Sequence, residues 1–561
     1  MGPFGITLFS VNLRDQKVLF LDCQTTGASP AHGRLLELGW AFASANQGKI
    51  KAQSQLIQQP EGEIPRHIAR ITGIRAEDLV EAPEVDQVWS ELLSQLGQVS
   101  ENVPAIIHYA RFELPFLQDA QQGEKLPFES LCTYEVARRL YPDLPSRSIR
   151  AVSGFLGHPL GEMKRAAHHV EATYFIWSEL VETLEKKAGI VSLEDLKEWM
   201  SETIPIKKGP KQYALSKETR LELPDEPGVY YLKGAGNRVL YVGKATSLKS
   251  RVNSYFRGRK TKGARLNELV SQVVDVETKV TGSALEAALL ETDQIKQLSP
   301  PYNRALKIGN REITYVDRAL GKLEEPTKGC LGPFTGERRF AELQVLFEFS
   351  DPAAVVELLD PFSISEQVVL EGYRLFEAQH GVAFSRDPGI LRHLLCQSFI
   401  NRILRNRERI REKGIEIDED NEEVELSEPE QSQEDAPWEP EDFASYLNSV
   451  LAGTAMRIFR GRWLLRLMNS ELRWKKGKSP WRTLIVREGR IVKRRTKKKP
   501  NRQSQLKELN LLTYDRMNVL RTEILKLLRK NCEVHWTPLV GGTQLTQADL
   551  KRLMFPEYFD E

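Results

Sequence analysis

The stretch "VLFLDCQTTG", residues 18–27, decides how the first part of the chain reads. Val18, Leu19, Phe20 and Leu21 form an unbroken apolar run, the pattern of a buried strand. The run delivers an acid, Asp22, to a turn containing Gly27. A metal site would place a second carboxylate two residues on, and the chain has Gln24 there.

Working outward, residues 18–187 read as α/β. "LLELGWAFAS" continues a sheet, and "VPAIIHYA" is another short apolar run. "VEATYFIWSELVETLEKK" has helical periodicity and a lysine-rich end suited to a helix C-terminus. Residues 188–220 read as a polar connector, with Lys207-Lys208-Gly209-Pro210 as its clearest breaker. Residues 221–307 read as a small α+β unit. "GVYYLKGAGNRVLYVG" is a strand, a Gly-rich turn and a strand, hence a hairpin. "SLKSRVNSYF" suits a helix capped by Ser247. "SALEAALLETDQIKQL" suits another, with Ser283 and Glu286 as a capping box and Pro300-Pro301 as its stop.

Residues 308–415 read as mostly helical, with "GPFTG" as a loop. Residues 416–442 are acidic, contain Pro and Ser, and read as a disordered linker. Residues 443–561 read as a basic α+β region. There "TLIVREGRIV" is a hairpin around Glu488-Gly489. "YDRMNVLRTEILKLLRKN" is an amphipathic helix, apolar at Met517, Leu520, Ile524 and Leu527 or Leu528.

The totals fit this division. At 561 residues the chain has room for about three or four domains. The formal net charge of +2 hides a block from Glu416 to Asp442 without Lys or Arg, and a basic block from Lys475 to Lys507. That separation is compatible with a polyanion partner. Cys23, Cys132, Cys330, Cys396 and Cys532 are far apart in sequence, so no zinc or iron–sulfur spacing arises. They read as reduced thiols of a cytosolic protein. The start "MGPFGITLFSVNLRDQ" lacks a secretory pattern, and no apolar run approaches the length of a membrane span. The expectation is a cytoplasmic protein with no membrane segment.

The first region resembles the DnaQ-type DEDDh 3′–5′ exonucleases. "FLDCQTTG" stands against the family's Asp-x-Glu-Thr-T-G. "IPRHIARITGI", "HYARFELPFL" and "KRAAHHVEAT" stand against three later motifs, in the family's order. The resemblance implies an RNase H-like fold. The family's chemistry uses two divalent ions on four carboxylates, with a His as general base. On the matching positions only Asp22 is unchanged. Gln24 replaces a Glu, Glu113 an Asp, Lys164 the His, and His169 the last Asp. Mg²⁺ prefers hard anionic oxygens, whereas Gln24 offers a neutral carbonyl and His169 a nitrogen. A Lys of ordinary pKa, about 10.4, is protonated near neutrality and is no base. The expectation is a catalytically degenerate exonuclease fold kept for binding or architecture. His108 reads as structural.

Residues 223–307 resemble the GIY-YIG nuclease domain, most closely that of the excision-repair nuclease UvrC. The name motif is Gly228-Val229-Tyr230 and Tyr241-Val242-Gly243, followed at family spacing by Lys244, Arg251, Tyr255, Glu291 and Asn303. The resemblance implies that Glu291 is the sole protein ligand of one Mg²⁺ or Mn²⁺ and that Tyr241 is the general base. Lys244 and Arg251 would supply positive charge, with Arg251 able to grip a phosphate through two bonds. Tyr230 and Tyr255 would orient water and phosphate, and Asn303 would brace the site. The order of the two regions resembles bacterial fusions of DnaQ-like and UvrC-like modules. The chain shows no clustered cysteines after the nuclease region, no UvrB-docking segment, no second RNase H-like nuclease and no helix–hairpin–helix pair. Single-sided incision is therefore expected, with dependence on UvrA/UvrB-type proteins left open.

Trp474, Lys475, Trp481, Lys493, Arg494, Arg495, Lys497, Lys498 and Lys499 read as a nucleic-acid surface. The cations would neutralise phosphates, and the tryptophans would stack on unpaired bases. Taken together, the sequence points to a metal-dependent GIY-YIG DNA endonuclease acting on damaged or irregular DNA, in nucleotide excision repair or a related pathway. Two alternatives stay open: a bifunctional nuclease with residual 3′–5′ exonuclease activity, and a non-catalytic DNA-binding scaffold.

Overall fold

The computed structural model describes residues 11–59, 64–99, 103–159, 161–203, 209–257, 263–303, 311–327, 329–335, 338–347, 352–359, 364–385, 387–413, 438–492, 509–539 and 542–559. The fold is mixed α/β and multidomain. By its contacts the chain divides into two units. One holds Met1–Thr281 with Pro300–Tyr302, the other Gly282–Ser299 with Asn303–Glu561.

In the first unit, β1 (Val18–Thr25) pairs antiparallel with β2 (Leu35–Ala43), and β2 with β3 (Gln53–Leu56). The other edge of β1 takes β4 (Ala105–Ile107) and then β5 (Ser130–Cys132), both parallel. The apolar run does not alternate because β1 is central and covered on both faces. Leu19, Leu21 and Cys23 pack with Trp40, Trp89 and Phe116. Val18 and Phe20 pack with Val170, Trp177 and Leu180. Helix α1 (Ala110–Ala120) brings in Phe116, and α2 (Ala166–Ala188) brings in Trp177. Helix α2 ends at Gly189, whose φ of 67° is the left-handed conformation that terminates helices. The connector read over 188–220 is structured where it is described. Helix α3 (Leu193–Ser201) carries a Ser192–Asp195 capping box, and Ile190 and Leu196 bury into the first core.

The same unit contains a three-stranded sheet. Its central β6 (Gly228–Lys233) is flanked by β7 (Val239–Ala245) and β8 (Asp275–Val280), both antiparallel. Helices α4 (Leu248–Phe256) and α5 (Ala264–Gln272) pack on it. Ser247 caps α4 by accepting from the Ser250 amide. Ser148 donates to Glu268 at 2.6 Å and Ser271 accepts from the Ser146 amide at 3.1 Å, tying this sheet's helices to the exonuclease-like part.

The second unit opens with α6 (Ala284–Leu298), capped by Ser283. A small sheet follows, with β9 (Ile313–Val316) between β10 (Lys322–Leu323) and β11 (Leu331–Thr335). "GPFTG", expected as a loop, is thus largely strand. Phe334 is buried and pairs in register with Thr314, and that burial overrides the local Gly-Pro signal. After two shorter helices, Arg338–Phe347 and Pro352–Leu359, come α7 (Glu366–His380), α8 (Pro388–Lys413) and α9 (Pro440–Leu467). Most of the acidic stretch lies outside the described residues. Its last residues do not: Pro440 opens α9, and Glu439 with Asp442 forms its capping box.

Helix α9 unites what the sequence separated. Phe443, Leu447 and Leu451 lie in a helical core with α7 and α8, while Trp463, Leu464 and Leu467 lie in the core of the last sheet. That sheet runs in the order β14 (Arg490–Val492), β13 (Arg482–Arg487), β12 (Ser470–Lys475), β15 (Glu533–Pro538). Glu488 and Gly489 join β13 to β14 with φ of 48° and 72°, the left-handed pair that a tight hairpin turn needs. Helix α10 (Leu511–Arg529) backs the sheet through Met517, Leu520, Ile524 and Leu528.

Candidate functional site

Strand register builds a tyrosine cluster. Tyr230 lies opposite Gly243, and Leu232 opposite Tyr241. Opposed residues of an antiparallel pair share a face, so Tyr230, Tyr241 and Gly243 lie on one side. Helix α4 adds Arg251 and Tyr255, one turn apart and therefore neighbours. The three tyrosine rings are mutually 6.0, 6.1 and 6.2 Å apart by centroid. The Tyr230 and Tyr255 hydroxyls are hydrogen-bonded at 2.7 Å. The Arg251 guanidinium lies 5.4 Å from the Tyr255 ring centre, within cation–π range. Burial, then the nearby Tyr255 and Tyr241, push the Tyr230 phenol well above its ordinary range. Tyr230 therefore stays protonated and shares a hydrogen bond with Tyr255.

Two glycines are steric requirements of this cluster. A Cβ on Gly243 would lie 2.3 Å from the Tyr230 hydroxyl oxygen and 2.8 Å from the Tyr241 ring. A Cβ on Gly228 would lie 2.4 Å from the Lys279 carbonyl oxygen of β8. Reading the motif for its side chains missed this role, although a glycine inside a strand is itself a signal of close approach.

Lys244 follows Gly243 directly and pairs with Val229, so it takes the alternate register and is half-buried. Glu291 and Asn303 belong to the second unit, each 6% exposed. Glu291 sits on α6 beside buried Ala287, Ala288, Thr292 and Ile295. A carboxylate is a hard oxygen donor suited to Mg²⁺ or Mn²⁺, ions that keep several water and phosphate ligands. Among the described residues there is no cluster of three or more His, Cys, Asp or Glu placed for a metal. By its donor chemistry Glu291 is suited to hold such an ion.

The first unit collects four of the five positions read from its exonuclease motifs. Asp22 and Gln24 come from β1, Glu113 from α1 and His169 from α2. Gln24 Nε2 donates to Asp22 Oδ2 at 3.0 Å, and His169 Nδ1 lies 3.1 Å from Asp22 Oδ1. Burial alone would lower the His169 imidazole, but the charge and hydrogen bond of Asp22 outweigh it and hold its pKa above the ordinary value. Glu113 moves the other way. Burial first, then Asp22 and Cys132, push its carboxyl well up, and its Oε2 is buried without a hydrogen-bond partner. Asp22 is thus bonded on one oxygen by Gln24 and faced on the other by His169, while Glu113 beside it is drawn toward its neutral form. Lys164 stands apart, its ammonium on Glu162 at 2.8 Å and its side chain about half exposed.

His108, one residue before α1's N-cap, is buried. Its Nε2 donates to the Arg147 carbonyl at 3.0 Å and its Nδ1 accepts from the Thr133 hydroxyl at 2.9 Å. Burial lowers its pKa to about 4, so it is a neutral structural group. Glu37, missed in the motif reading, is fully buried opposite Gln24. It takes two bonds from Arg165 Nε at 3.1 Å, one from Nη2 at 2.8 Å, and one from the Ala166 amide at 3.0 Å. Its signal was a lone acid inside the apolar run "LLELGWAFA".

The basic surface needs one correction. Trp474 is 6% exposed and packs inside the last core, because its strand position alternates inward with Leu472, so it cannot stack on a base. Trp481 is partly exposed. Arg473 and Lys475 lie 5.1 and 4.8 Å from its ring centre, and His535 lies 5.0 Å from it. Lys475 also pairs with Glu533 at 2.8 Å. Lys493, Arg494, Arg495, Lys497, Lys498 and Lys499 lie outside the described residues.

Two stretches of the chain match nuclease family models. Residues 226–304 match the family model of the UvrC-like GIY-YIG domain, and residues 19–168 match the exonuclease family. The chain therefore combines an exonuclease domain with a UvrC-like GIY-YIG endonuclease domain. The chain is similar to a protein of Mycobacterium tuberculosis named as a putative bifunctional exonuclease/endonuclease, 26% identical over 354 residues, which cover 60% of this chain and 53% of that protein. The UvrABC system protein C of Synechococcus elongatus is 45% identical over 105 residues, covering 18% of this chain and 16% of that protein. The chain thus spans about half the length of the first relative and under a fifth of the second. The crystal structure of the GIY-YIG N-terminal endonuclease domain of UvrC from Thermotoga maritima, bound to its catalytic magnesium, is 33% identical. It covers 16% of this chain and 94% of its own, with a TM-score of 0.15. Among the described residues no helix is long and apolar enough to cross a membrane.

Proposed function

We propose that the chain is a divalent-metal-dependent DNA endonuclease. On this reading it makes single-sided incisions in damaged or irregular DNA, in nucleotide excision repair or a related pathway. The observation that carries the reading is the cluster of Tyr230, Tyr241, Tyr255 and Arg251. Hydrolysis joins a water oxygen to phosphorus and releases a sugar hydroxyl. Tyr241 is only partly buried and takes the water's proton. Tyr230 and Tyr255 share one hydrogen bond and orient the phosphate. Arg251 and Lys244 balance its negative charge. Glu291 would hold one Mg²⁺ or Mn²⁺, which would supply water activation and neutralisation of phosphate charge. Asn303 braces the site.

The exonuclease domain serves binding or architecture, a reading supported by the Asp22–His169 pair. Trp481 and Lys475 contact DNA, and cooperation with UvrA/UvrB-type proteins follows from the UvrC likeness alone. The deciding measurement is cleavage of end-labelled duplexes, plain and carrying a bulky lesion, with Mg²⁺ or Mn²⁺. Wild type is compared with Glu291→Gln, Tyr241→Phe and Asp22→Ala. Discrete nicks lost in the first two variants and kept in the third support the proposal. Shortening from 3′ ends that vanishes in Asp22→Ala would overturn the degenerate reading of the first domain. Binding without any cutting would leave a scaffold.

A further inference from the structure

The helix that carries Glu291 is gripped by the C-terminal part of its own unit. Leu285, Ala288 and Leu289 form a stripe on α6 and share a core with Met517, Leu520 and Ile524 of α10. The same stripe continues through Asp293 and Lys296. Arg516 Nε bonds to Asp293 Oδ1 at 2.5 Å, and the Lys296 ammonium pairs with Asp515. The Lys296 and Asp515 side chains are 5% and 3% exposed. Arg311 adds a second cation to Asp515 at 3.0 Å. At the other end of α6, Arg482 of β13 bonds to the Gly282 carbonyl, one residue before the Ser283 cap. Glu291 lies on a different stripe, two residues before Asp293.

We propose that Asp515 and Arg516 are positioning residues for Glu291, so that the C-terminal domain sets the metal affinity of the GIY-YIG site. This rests on Glu291 holding the metal. Leucine contacts alone leave a helix free to slip by one turn, ~5.4 Å. The paired charges forbid the slip. Helix α6 offers an acid and then a base, helix α10 offers a base beside an acid, and a shifted register would strand buried Lys296 and Asp515. An ion held by one protein carboxylate has no other side chain to define its position. Its place is therefore as well defined as the register of that one helix.

The test uses the full chain. Mn²⁺ binding is followed by the paramagnetic resonance of the free ion, and the Mg²⁺ dependence of nicking is followed alongside. Arg516→Gln, Asp515→Asn and the exchange Asp293→Arg/Arg516→Asp are compared with wild type and Glu291→Gln, each checked for folding by circular dichroism. The single variants are expected to weaken Mn²⁺ binding roughly 10–100-fold, the range for outer-shell changes at metal sites, and to raise the Mg²⁺ midpoint in step. The exchange should recover most of the loss. A merely structural role would lower the amount of active protein and leave both midpoints unchanged. Folded single variants that bind Mn²⁺ like wild type, beside a Glu291→Gln protein that does not, overturn the clamp and leave the metal reading standing. Undiminished binding in Glu291→Gln overturns that reading and the clamp with it. Should Asp515→Asn fail to fold, the less buried Arg516→Gln and the exchange decide.

Discussion

His169 Nδ1 lies 3.1 Å from Asp22 Oδ1, while Gln24 donates to the other oxygen of the same carboxylate at 3.0 Å. Both oxygens of the one unchanged acid of the exonuclease motifs are engaged by protein groups.

Restoring the carboxylates should restore the metal. In a Glu291→Gln background, added Mg²⁺ is expected to leave the thermal unfolding of the exonuclease domain unchanged. With Gln24→Glu and His169→Asp added, Mg²⁺ should stabilise that domain by about 2.7 kcal/mol at one hundred times the dissociation constant. Calorimetry with and without the ion checks this. A Mg²⁺-dependent rise in the unreverted domain would show that Gln24 and His169 still hold an ion.

His108 gives the first domain an acid-side weakness. Its folded pKa is about 4, against about 6.5 in the unfolded chain. Between these values the unfolded state binds more protons, so stability falls as pH drops through this window, by about 3 kcal/mol in all. His169 acts oppositely: its pKa is raised, so its contribution is present at low pH and lost as pH rises through the folded value. Hydrogen exchange in β1 and β4, compared between wild type and His108→Gln from pH 7 to pH 4, isolates the first term. Parallel profiles would mean that His108 is not the group responsible.

Gly243→Ala should damage the tyrosine cluster without touching any of its side chains. The new Cβ would meet the Tyr230 hydroxyl at 2.3 Å, so the ring must shift from the position that bonds it to Tyr255. Overpacking of this kind costs about 1–3 kcal/mol of stability. A displacement near 1 Å can slow the reaction on the order of 10²-fold. Nicking rate and denaturant midpoint, measured on one preparation, give both numbers.

The two tryptophans of the basic region should part company. Trp474→Ala is expected to destabilise the second unit by about 3–5 kcal/mol, the usual cost of emptying a core aromatic site. Trp481→Ala should leave stability nearly unchanged and weaken single-stranded DNA binding by about 1–3 kcal/mol, the value of one stacking platform. Lys475→Ala should reduce the salt dependence of that binding. Equal DNA affinity for wild type and Trp481→Ala would remove this face from the binding surface.

Much was legible because it is local. The Ser247 and Ser283 caps, the Glu488-Gly489 turn and the two-sided burial of β1 each depend on a few adjacent residues. Tyr230, Tyr241, Arg251 and Tyr255 lie within 26 positions on two strands and one helix, and the structure brings them together. What escaped the reading is non-local. Glu37 meets Arg165 across 128 positions, and whether Trp474 points in or out depends on the register of β12 against β15. "GPFTG" carried turn residues, yet the burial of Phe334 made it a strand.

The sequence by itself determined the two nuclease-type domains, the chemistry available at Tyr241, Arg251 and Glu291, and the loss of carboxylates around Asp22. Residue type and short spacing carry that information without reference to the rest of the chain. Only the tertiary structure decided that His169 meets Asp22, that α9 threads two cores, and that the Glu291 helix is clamped by Asp515 and Arg516. Those pairs are 147 and more than 200 positions apart. Their meeting depends on the packing of whole helices and sheets, which no local pattern encodes.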